Sequence, residues 1–302
     1  MKIAIVGGAG GVGASVAFNL LRMDAGHEVA ILDHAPNMIT SHVMDLEQTL
    51  LLGAGRSVRE GGDADLLDAD VVIVAAAVPL TVNTSRMVYL EDNAAIAGGV
   101  LDRLDGGWDG VLLVVTNPVD PLCTWALRRS GIDRRRLVGY TINDSLRLRT
   151  GIGQALGVDP REVDAWTIGE HGEGSVPLFD RVTVGGEPVE LDAEHRAHAE
   201  EFLRTWYVKH VALDSGRSST WTSGVGVACM AAALGSDEGE LWPASVALEG
   251  EYGVEGVCLS VPVTLGRGGL REIHEWELSE TERDAMGDAA RMVREAADSI
   301  DV

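Results

Sequence analysis

Residues 2–13 read KIAIVGGAGGVG. The first five are almost all apolar, which is typical of a strand buried on both faces. A helix is predicted from Ala14 to Met23, directly after the glycines. The loop fits both G-x-G-x-x-G and the G-x-x-G-x-x-G variant through four glycines, Gly7, Gly8, Gly10 and Gly13. Because glycines let the backbone approach a pyrophosphate at a helix N-terminus, the stretch predicts a dinucleotide-binding loop, which Gly11 and Val12 complete.

Short apolar strands alternate with helices up to residue 140. Further strands are predicted at 28–32, 70–75, 111–115 and 137–139, and further helices at 46–52, 93–104 and 121–129. This alternation is typical of an α/β fold with a Rossmann-type, doubly wound parallel sheet. We therefore predict a nucleotide-binding Rossmann domain over residues 1–140.

The pattern changes after residue 140. Gly185-Gly186 separates two short β-like runs and predicts a hairpin over residues 181–189. The last helix is predicted to begin at Ser279, where Glu282 completes a capping box. No long linker separates the halves, so a mixed α+β catalytic domain over 141–302 is expected to pack closely on the first.

Composition limits the partners of the chain. Its 302 residues carry a net charge of −23, which argues against nucleic acid and anionic membranes. No apolar run reaches the roughly 20 residues that cross a bilayer, and no secretion signal is recognised, so a cytoplasmic protein is expected. Three widely spaced cysteines predict buried thiols and no metal site. The acidic, lysine-poor composition fits adaptation to salt or a coding bias equally well.

Asp33 ends the second predicted strand, 20 residues after Gly13. A carboxylate there accepts hydrogen bonds from the ribose hydroxyls and repels a 2′-phosphate. The cofactor is therefore predicted to be NAD rather than NADP, although His34 beside it could soften this preference.

A candidate acid–base site lies in the second half. His171 stands between glycines in the stretch IGEHG, residues 168–172. Hydride transfer from a secondary alcohol requires a base for the hydroxyl proton, and imidazole titrates near neutrality. Asp144 could orient the imidazole, and Arg147 lies one helical turn further on the same face. Its guanidinium could hold a substrate carboxylate through two parallel hydrogen bonds.

Two segments of the first half are expected to complete this site. Asn117 follows the strand at 111–115, at the sheet edge where ligands bind, and could contact substrate or nicotinamide. Residues 78–86 are polar and follow another strand, as expected for a mobile lid. Arg86 could polarise a substrate carbonyl when this lid closes.

Together these motifs resemble the malate and lactate dehydrogenase family over essentially the whole chain. The tail at 241–276 is most similar to the lactate-dehydrogenase-like malate dehydrogenases. The resemblance implies an NAD-dependent oxidoreductase that interconverts a small (S)-2-hydroxy acid and its 2-keto acid, and a homodimer or homotetramer. It implies roles for seven residues: acid–base catalysis by His171 with Asp144, substrate binding by Arg147, Arg86, Asn117 and Ser219, and cofactor binding by Asn93 together with Asn117.

The lid departs from the family. Leu80 stands where malate dehydrogenases usually carry a second arginine and lactate dehydrogenases a glutamine, and Val82-Asn83 replaces the usual Pro-Gly. Leucine cannot pair with a C4 carboxylate, but it suits an apolar substituent. Arg217 could supply a second cation instead, which keeps a dicarboxylate open.

The altered lid also motivates an alternative from another class. A non-catalytic, NAD-binding regulatory protein could retain the same fold. The presence of Arg86, Asp144, Arg147 and His171 together favours the enzyme.

Overall fold

A computed structural model describes residues 1–23, 25–104 and 107–301. The first half forms eleven elements: β1 Lys2–Val6, α1 Gly11–Arg22, β2 Glu28–Leu32, α2 Pro36–Thr49, β3 Ser57–Glu60, α3 Asp63–Leu67, β4 Val71–Val74, α4 Leu90–Leu101, β5 Val111–Val114, α5 Val119–Ser130 and β6 Leu137–Tyr140. Its strands are parallel and follow the order β3-β2-β1-β4-β5-β6. The predicted Rossmann fold is confirmed.

The second half mixes helices with antiparallel strands. Its elements are α6 Asn143–Leu156, β7 Val163–Asp164, β8 Thr167–Gly169, β9 Ser175–Pro177, β10 Thr183–Val184, β11 Glu187–Pro188, α7 Ala193–Ala212, α8 Thr220–Leu234, β12 Glu240–Glu249, β13 Glu255–Gly266, β14 Gly269–Ile273 and α9 Glu280–Asp298. β12 pairs antiparallel with β6, so one sheet of eleven strands runs through both halves. β7, β10 and β11 form a separate small sheet.

Helices cover both faces of the long sheet. Alternate residues of β1 point to opposite sides, as the strand period requires. Ile3 and Ile5 join a core with α1 and α8, whereas Ala4 and Val6 join a core with α4 and α5. Every residue of β4 and β5 is buried, which explains their unbroken apolar sequence.

The structure corrects the helix predicted at 46–52. The observed helix α2 begins at Pro36, which suits a first helical position, and ends at Thr49. Its buried face consists of Ile39, Val43 and Leu46, at helical spacing. Leu51 and Leu52, which suggested a continuing helix, are 86% and 81% exposed in the following turn. Sequence analysis also overlooked β3 and α3, which are short and largely polar.

Two local predictions in the second half are confirmed. Thr183 pairs with Pro188 and Val184 with Glu187, around a turn in which Gly185 and Gly186 both have positive φ. The Ser279–Glu282 capping box opens α9 as predicted.

Two features are absent from the described part of the chain. None of the helices described is both long and apolar enough to span a membrane. Within the same residues, no group of three or more side chains is placed to hold a metal ion.

Candidate active site

A cavity of about 1010 Å³ lies where the carboxyl ends of the parallel strands meet the second half. Ligands bind at this edge in open α/β sheets. The first half contributes the glycine loop, Asp33, the lid segment and Asn117. The second half contributes α6, the loop after β8, α7 and the start of α8. The predicted cofactor and substrate residues therefore converge on one cavity.

The glycines of the loop have two different structural roles. Gly7, Gly10, Gly11 and Val12 line the cavity. Gly8 and Gly13 are not among the lining residues. A Cβ on Gly8 would lie 1.8 Å from a methyl carbon of Ile31, and one on Gly13 would lie 2.3 Å from the carbonyl oxygen of Gly7. These two glycines allow the helix, strand and loop to pack closely, which was also part of the predicted physical reason for the motif.

The start of α1 suits an anionic group. Gly10 precedes the first helical residue and offers no side chain to cap the free N–H groups. These groups and the helix dipole favour a phosphate at this end of the cavity. Asp33 lies nearby with a mostly buried side chain, and its Oδ2 accepts a hydrogen bond from the Ala9 amide at 3.1 Å. Nδ1 of the exposed His34 lies 2.9 Å from the other oxygen of Asp33.

Asn93 joins the strand ends that border the cavity. Its Oδ1 accepts from the Val78 amide at 2.8 Å, and its Nδ2 donates to the Asn117 carbonyl at 2.7 Å. The side-chain oxygen of Asn117 is buried without a hydrogen-bond partner among the described residues. Because an unpaired buried acceptor is costly, this oxygen suits a ligand that donates a hydrogen bond, such as a carboxamide. The donor set and cavity size thus fit a nicotinamide dinucleotide.

The predicted acid–base pair is formed. His171 Nδ1 lies 2.7 Å from Asp144 Oδ2, and both side chains are buried. Asp144 Oδ1 accepts from the Arg147 guanidinium at 2.8 Å. Asp144 lies behind His171, while His171 and Arg147 line the cavity. With Nδ1 bound to Asp144, Nε2 is the imidazole nitrogen available to a ligand.

The surroundings of His171 and Asp144 lower the pKa of both groups. Burial lowers the pKa of His171, against the opposing effect of the Asp144 carboxylate. Burial alone would raise the pKa of Asp144, but the hydrogen bond from His171, helped by the charge of Arg147, holds it well below its usual range. A neutral imidazole beside a carboxylate is the arrangement of a general base held in one tautomer.

Two further buried acids surround His171. Asp120 Oδ2 accepts from the His171 amide at 2.7 Å, and Glu170 Oε2 accepts from the Gly174 amide at 2.8 Å. Burial, with the Glu170 charge, raises the pKa of Asp120 to about 8. Burial also raises the pKa of Glu170 to about 7. Neither acid was given a role from the sequence. The available signal was their position, since Asp120 stands three residues after Asn117 and Glu170 directly precedes His171.

The lid segment places both of its predicted residues at the cavity. Leu80 and Arg86 line it, and both are partly exposed. The Arg86 guanidinium carbon lies 4.1 Å from the centre of the Tyr207 ring. Ser219, predicted from the resemblance, precedes the first residue of α8 and also lines the cavity.

Sequence analysis missed the contribution of α7. Trp206, Tyr207 and His210 all line the cavity from this helix. The aromatic pair stands in a helix of mostly polar residues for which no functional role was predicted. A doublet of large aromatic residues among charged ones was the available signal, because such residues are seldom left without a packing partner.

Comparison with known proteins agrees with this geometry. The lactate/malate dehydrogenase NAD binding domain matches residues 1–139, and the family's alpha/beta C-terminal domain matches residues 141–300. The chain belongs to the lactate/malate dehydrogenase family. The predicted enzyme class, an NAD-dependent 2-hydroxy-acid dehydrogenase, and the predicted cofactor, NAD, are thereby confirmed.

Relatives of two kinds match almost the whole chain. A malate dehydrogenase of Halobacterium salinarum is 34% identical, with 99% of each chain covered. An L-lactate dehydrogenase of Bifidobacterium longum is 33% identical and covers 99% of this chain and 98% of its own. Among solved structures, the malate dehydrogenase from Aeropyrum pernix has a TM-score of 0.92 at 27% identity, with 99% of this chain and 98% of that chain covered. Similar identity to both kinds leaves the substrate to be inferred from the site itself.

Proposed function

We propose that this dehydrogenase interconverts an (S)-2-hydroxy acid and its 2-keto acid, and that the substrate carries an apolar group beyond C2. The observation that carries the proposal is the buried set of His171, Asp144 and Arg147, which opens onto the same cavity as the nucleotide loop. The apolar preference rests on Leu80, which stands where both branches of the family usually carry a polar side chain.

Bound NAD would supply the hydride acceptor. The glycine loop and Asp33 would hold it at one end, and Asn93 and Asn117 at the other. Arg147 would clamp the C1 carboxylate through two hydrogen bonds and so fix C2. His171 Nε2 would take the hydroxyl proton during oxidation, while Nδ1–H donates to Asp144, which stabilises the imidazolium. In the reverse direction the same imidazolium returns the proton.

Arg86 would act on the other side of the reacting carbon. Its guanidinium would polarise the C2 oxygen, where negative charge develops during reduction of the keto acid. Ser219, at the start of α8, would close the pocket beside it. Because the lid carries Arg86 and Leu80 together, closing it would deliver the polarising charge and the side-chain contact in one movement.

Leu80 decides the proposed side-chain preference. An acidic C4 group placed against leucine would lose hydration without gaining a partner, at a cost of several kcal/mol in a closed site. An aliphatic or aromatic group would instead gain about 25 cal/mol for each Å² buried. Arg217 lies over Trp221, with its guanidinium carbon 4.9 Å from the ring centre, and is exposed. That contact offers no support for Arg217 as a replacement partner for an acid.

The remaining predictions are retained as part of the proposal. The boundary between the Rossmann and catalytic domains is placed near residue 140, where β6 ends and α6 begins. A homodimer or homotetramer and a cytoplasmic location stay predictions. The non-catalytic alternative gains no support, since a buried acid–base pair costs stability and has no use in binding NAD alone.

A panel of keto acids tests the function. NADH oxidation would be followed with pyruvate, oxaloacetate, 2-ketoisocaproate and phenylpyruvate at equal concentrations. We expect turnover, with kcat/KM larger for the apolar keto acids than for oxaloacetate. No turnover of any of them, despite tight NADH binding, would contradict the proposed reaction. A preference for oxaloacetate would contradict only the assignment of Leu80.

A further inference from the structure

Two adjacent aromatic residues of α7 each face one arginine of the site. The Arg147 guanidinium carbon lies 4.2 Å from the centre of the Trp206 ring. The Arg86 guanidinium carbon lies 4.1 Å from the centre of the Tyr207 ring. Both distances are well inside the range in which a cation is attracted to an aromatic face. One short stretch of helix thus contacts both cations that the proposed reaction uses.

We infer that Trp206 and Tyr207 are positioning residues for the two arginines, Trp206 for Arg147 and Tyr207 for Arg86. The inference rests on the proposed function, because that function gives Arg147 the substrate carboxylate and Arg86 the C2 oxygen. It adds two residues of α7 that neither the motifs nor the resemblance indicated.

The two arginines need such support because they repel each other. Both face the same cavity, and the charge of Arg86 adds to burial in lowering the pKa of Arg147. Arg147 has Asp144 as an anionic partner, but Arg86 has no ion-pair partner among the described residues. An aromatic face attracts a guanidinium without neutralising it. The rings can therefore fix both cations while their full charge stays available to an anionic substrate.

Trp206 also packs against a second ring of α7. His210 stacks on the Trp206 ring with 4.9 Å between ring centres and 10° between planes. His210 Nε2 lies 2.9 Å from the carbonyl oxygen of Arg217, in the loop that leads to Ser219. Contacts therefore link Arg147 to Trp206, Trp206 to His210, and His210 to the loop backbone. These contacts limit rotation of the Trp206 ring and, through it, of the Arg147 side chain.

Tyr207 connects α7 to the lid. Its hydroxyl donates to Asn83 Oδ1 at 3.0 Å, while its ring lies against Arg86. Asn83 also hydrogen-bonds the hydroxyl of Tyr89, which accepts from the Thr81 amide at 2.8 Å. Asn83 is one of the two residues that replace the usual Pro-Gly of the lid. The departure thus gains a physical explanation, because only a polar side chain there can accept from Tyr207.

The two aromatic residues should affect different kinetic constants. A carboxylate held by Arg147 is present in the bound substrate and in the transition state, so weakening that contact raises KM. Charge on the C2 oxygen develops only in the transition state, so misplacing Arg86 lowers kcat. If the two residues had a merely structural role, their variants would lose stability, but one would not change KM while the other changes kcat.

The test uses Trp206→Leu and Tyr207→Leu, with Trp206→Phe and Tyr207→Phe as the milder variants. Steady-state kinetics would be measured with the preferred keto acid. Binding of oxamate to the NADH-loaded protein would be measured by calorimetry, since oxamate carries the carboxylate but accepts no hydride. A cation–aromatic contact predicts a change of about 2- to 30-fold. We expect this rise in KM and in the oxamate Kd for Trp206→Leu, and this fall in kcat for Tyr207→Leu. Trp206→Phe and Tyr207→Phe keep an aromatic ring beside the arginine. The kinetic and binding constants of these variants should therefore change much less than those of the leucine variants.

A matched control removes an arginine–aromatic contact elsewhere. Arg129 lies 5.5 Å from the Trp125 ring centre and pairs with Asp102, on α5 and away from the cavity. Arg129→Ala should leave both KM and kcat unchanged. If both leucine variants lost stability but kept wild-type constants, or shifted KM and kcat equally, the inference would be overturned.

A double-mutant cycle makes the test independent of overall folding. If Tyr207 acts through Arg86, the effects of Tyr207→Leu and Arg86→Leu on kcat should be strongly non-additive. Additive effects would overturn this part of the inference. Wild-type protein that binds oxamate but reduces no keto acid would instead contradict the proposed function, and the oxamate arm would still decide the role of Trp206.

Discussion

The two ends of the substrate pocket are built in different ways. At the carboxylate end, His171, Asp144 and Arg147 are all less than 9% exposed and are joined by contacts of 2.7 and 2.8 Å. At the lid end, Leu80 and Arg86 are partly exposed, and the segment that carries them has no regular strand or helix before residue 86. The first end is fixed by packing, whereas the second depends on a few contacts to α7.

This difference suggests a division of labour. Groups that move protons must be held within a few tenths of an ångström of the reacting atoms, which favours buried side chains on α6 and next to β8. Groups that select the substrate can lie on a loop, where substitution costs little stability. Changes at the fixed end should therefore abolish the chemistry, while changes at the lid should redirect it.

The largest effect is expected for His171→Asn. Asparagine cannot take up the hydroxyl proton, and general acid–base catalysis contributes about 10²- to 10⁴-fold. We expect kcat to fall by that factor with a much smaller change in KM, measured by NADH oxidation. The exposed His198 of α7 provides the matched control, and His198→Asn should retain full activity. Turnover that survives in His171→Asn would remove the acid–base assignment.

Arg147→Lys should have the next largest effect. Lysine keeps the positive charge and its contact with Asp144 but cannot form the two parallel hydrogen bonds of a guanidinium. Loss of one charge-assisted hydrogen bond, worth about 1.5–3 kcal/mol, predicts a loss in kcat/KM of about 10- to 100-fold. Thermal melting near the wild-type temperature would show that the fold is intact. Unchanged kcat/KM in a folded variant would argue against a bidentate carboxylate clamp.

The same contrast explains how far the sequence could predict the molecule. Most of the Rossmann half was predictable because all its strands except β3 are short and mainly apolar, and because the glycine loop directly follows the first of them. The fixed end was predictable because His171, Asp144 and Arg147 stand in short motifs whose spacing carries their geometry. The polar character of residues 78–86 also indicated the lid and Arg86, whereas the resemblance to the family singled out Leu80.

The contacts that support the site were not predictable in the same way. Trp206 and Tyr207 approach the arginines from a helix about 60 residues beyond Arg147 and about 120 residues beyond Arg86, and no local pattern encodes that packing. Asp120 meets the His171 amide only because folding brings the first turn of α5 against the loop after β8, across a separation of 51 residues. The continuation of the sheet through β12 was likewise hidden, since β12 pairs with β6 across a separation of about a hundred residues.

Leu80→Arg tests the lid end of the comparison. An arginine there can pair with a C4 carboxylate, and even an exposed pair is worth up to about 1 kcal/mol. The ratio of kcat/KM for oxaloacetate to that for pyruvate should therefore rise by up to about 5-fold. Leu80→Met, which keeps the site apolar, is the control and should leave the ratio unchanged. An unchanged ratio in Leu80→Arg would mean that residue 80 lies outside the substrate pocket.

The smallest effect expected is on the pH dependence of the free energy of unfolding, to which the buried acids beside His171 contribute. Burial, with the Glu170 charge, raises the pKa of Asp120 to about 8, so the folded protein keeps a proton that the unfolded chain releases near pH 4. The free energy of unfolding should consequently fall as the pH rises from about 4 to about 8.

Asp120→Asn removes this titration but can still accept from the His171 amide. Melting temperatures measured between pH 5 and pH 8 should therefore fall less steeply in Asp120→Asn than in wild type, by about 2–4 °C for each kcal/mol recovered. Part of the slope should persist up to about pH 7, because burial also raises the pKa of Glu170 to about 7. Identical slopes of melting temperature against pH in the two proteins would mean that Asp120 is already ionised in the folded protein. Its burial would then not make the free energy of unfolding depend on pH.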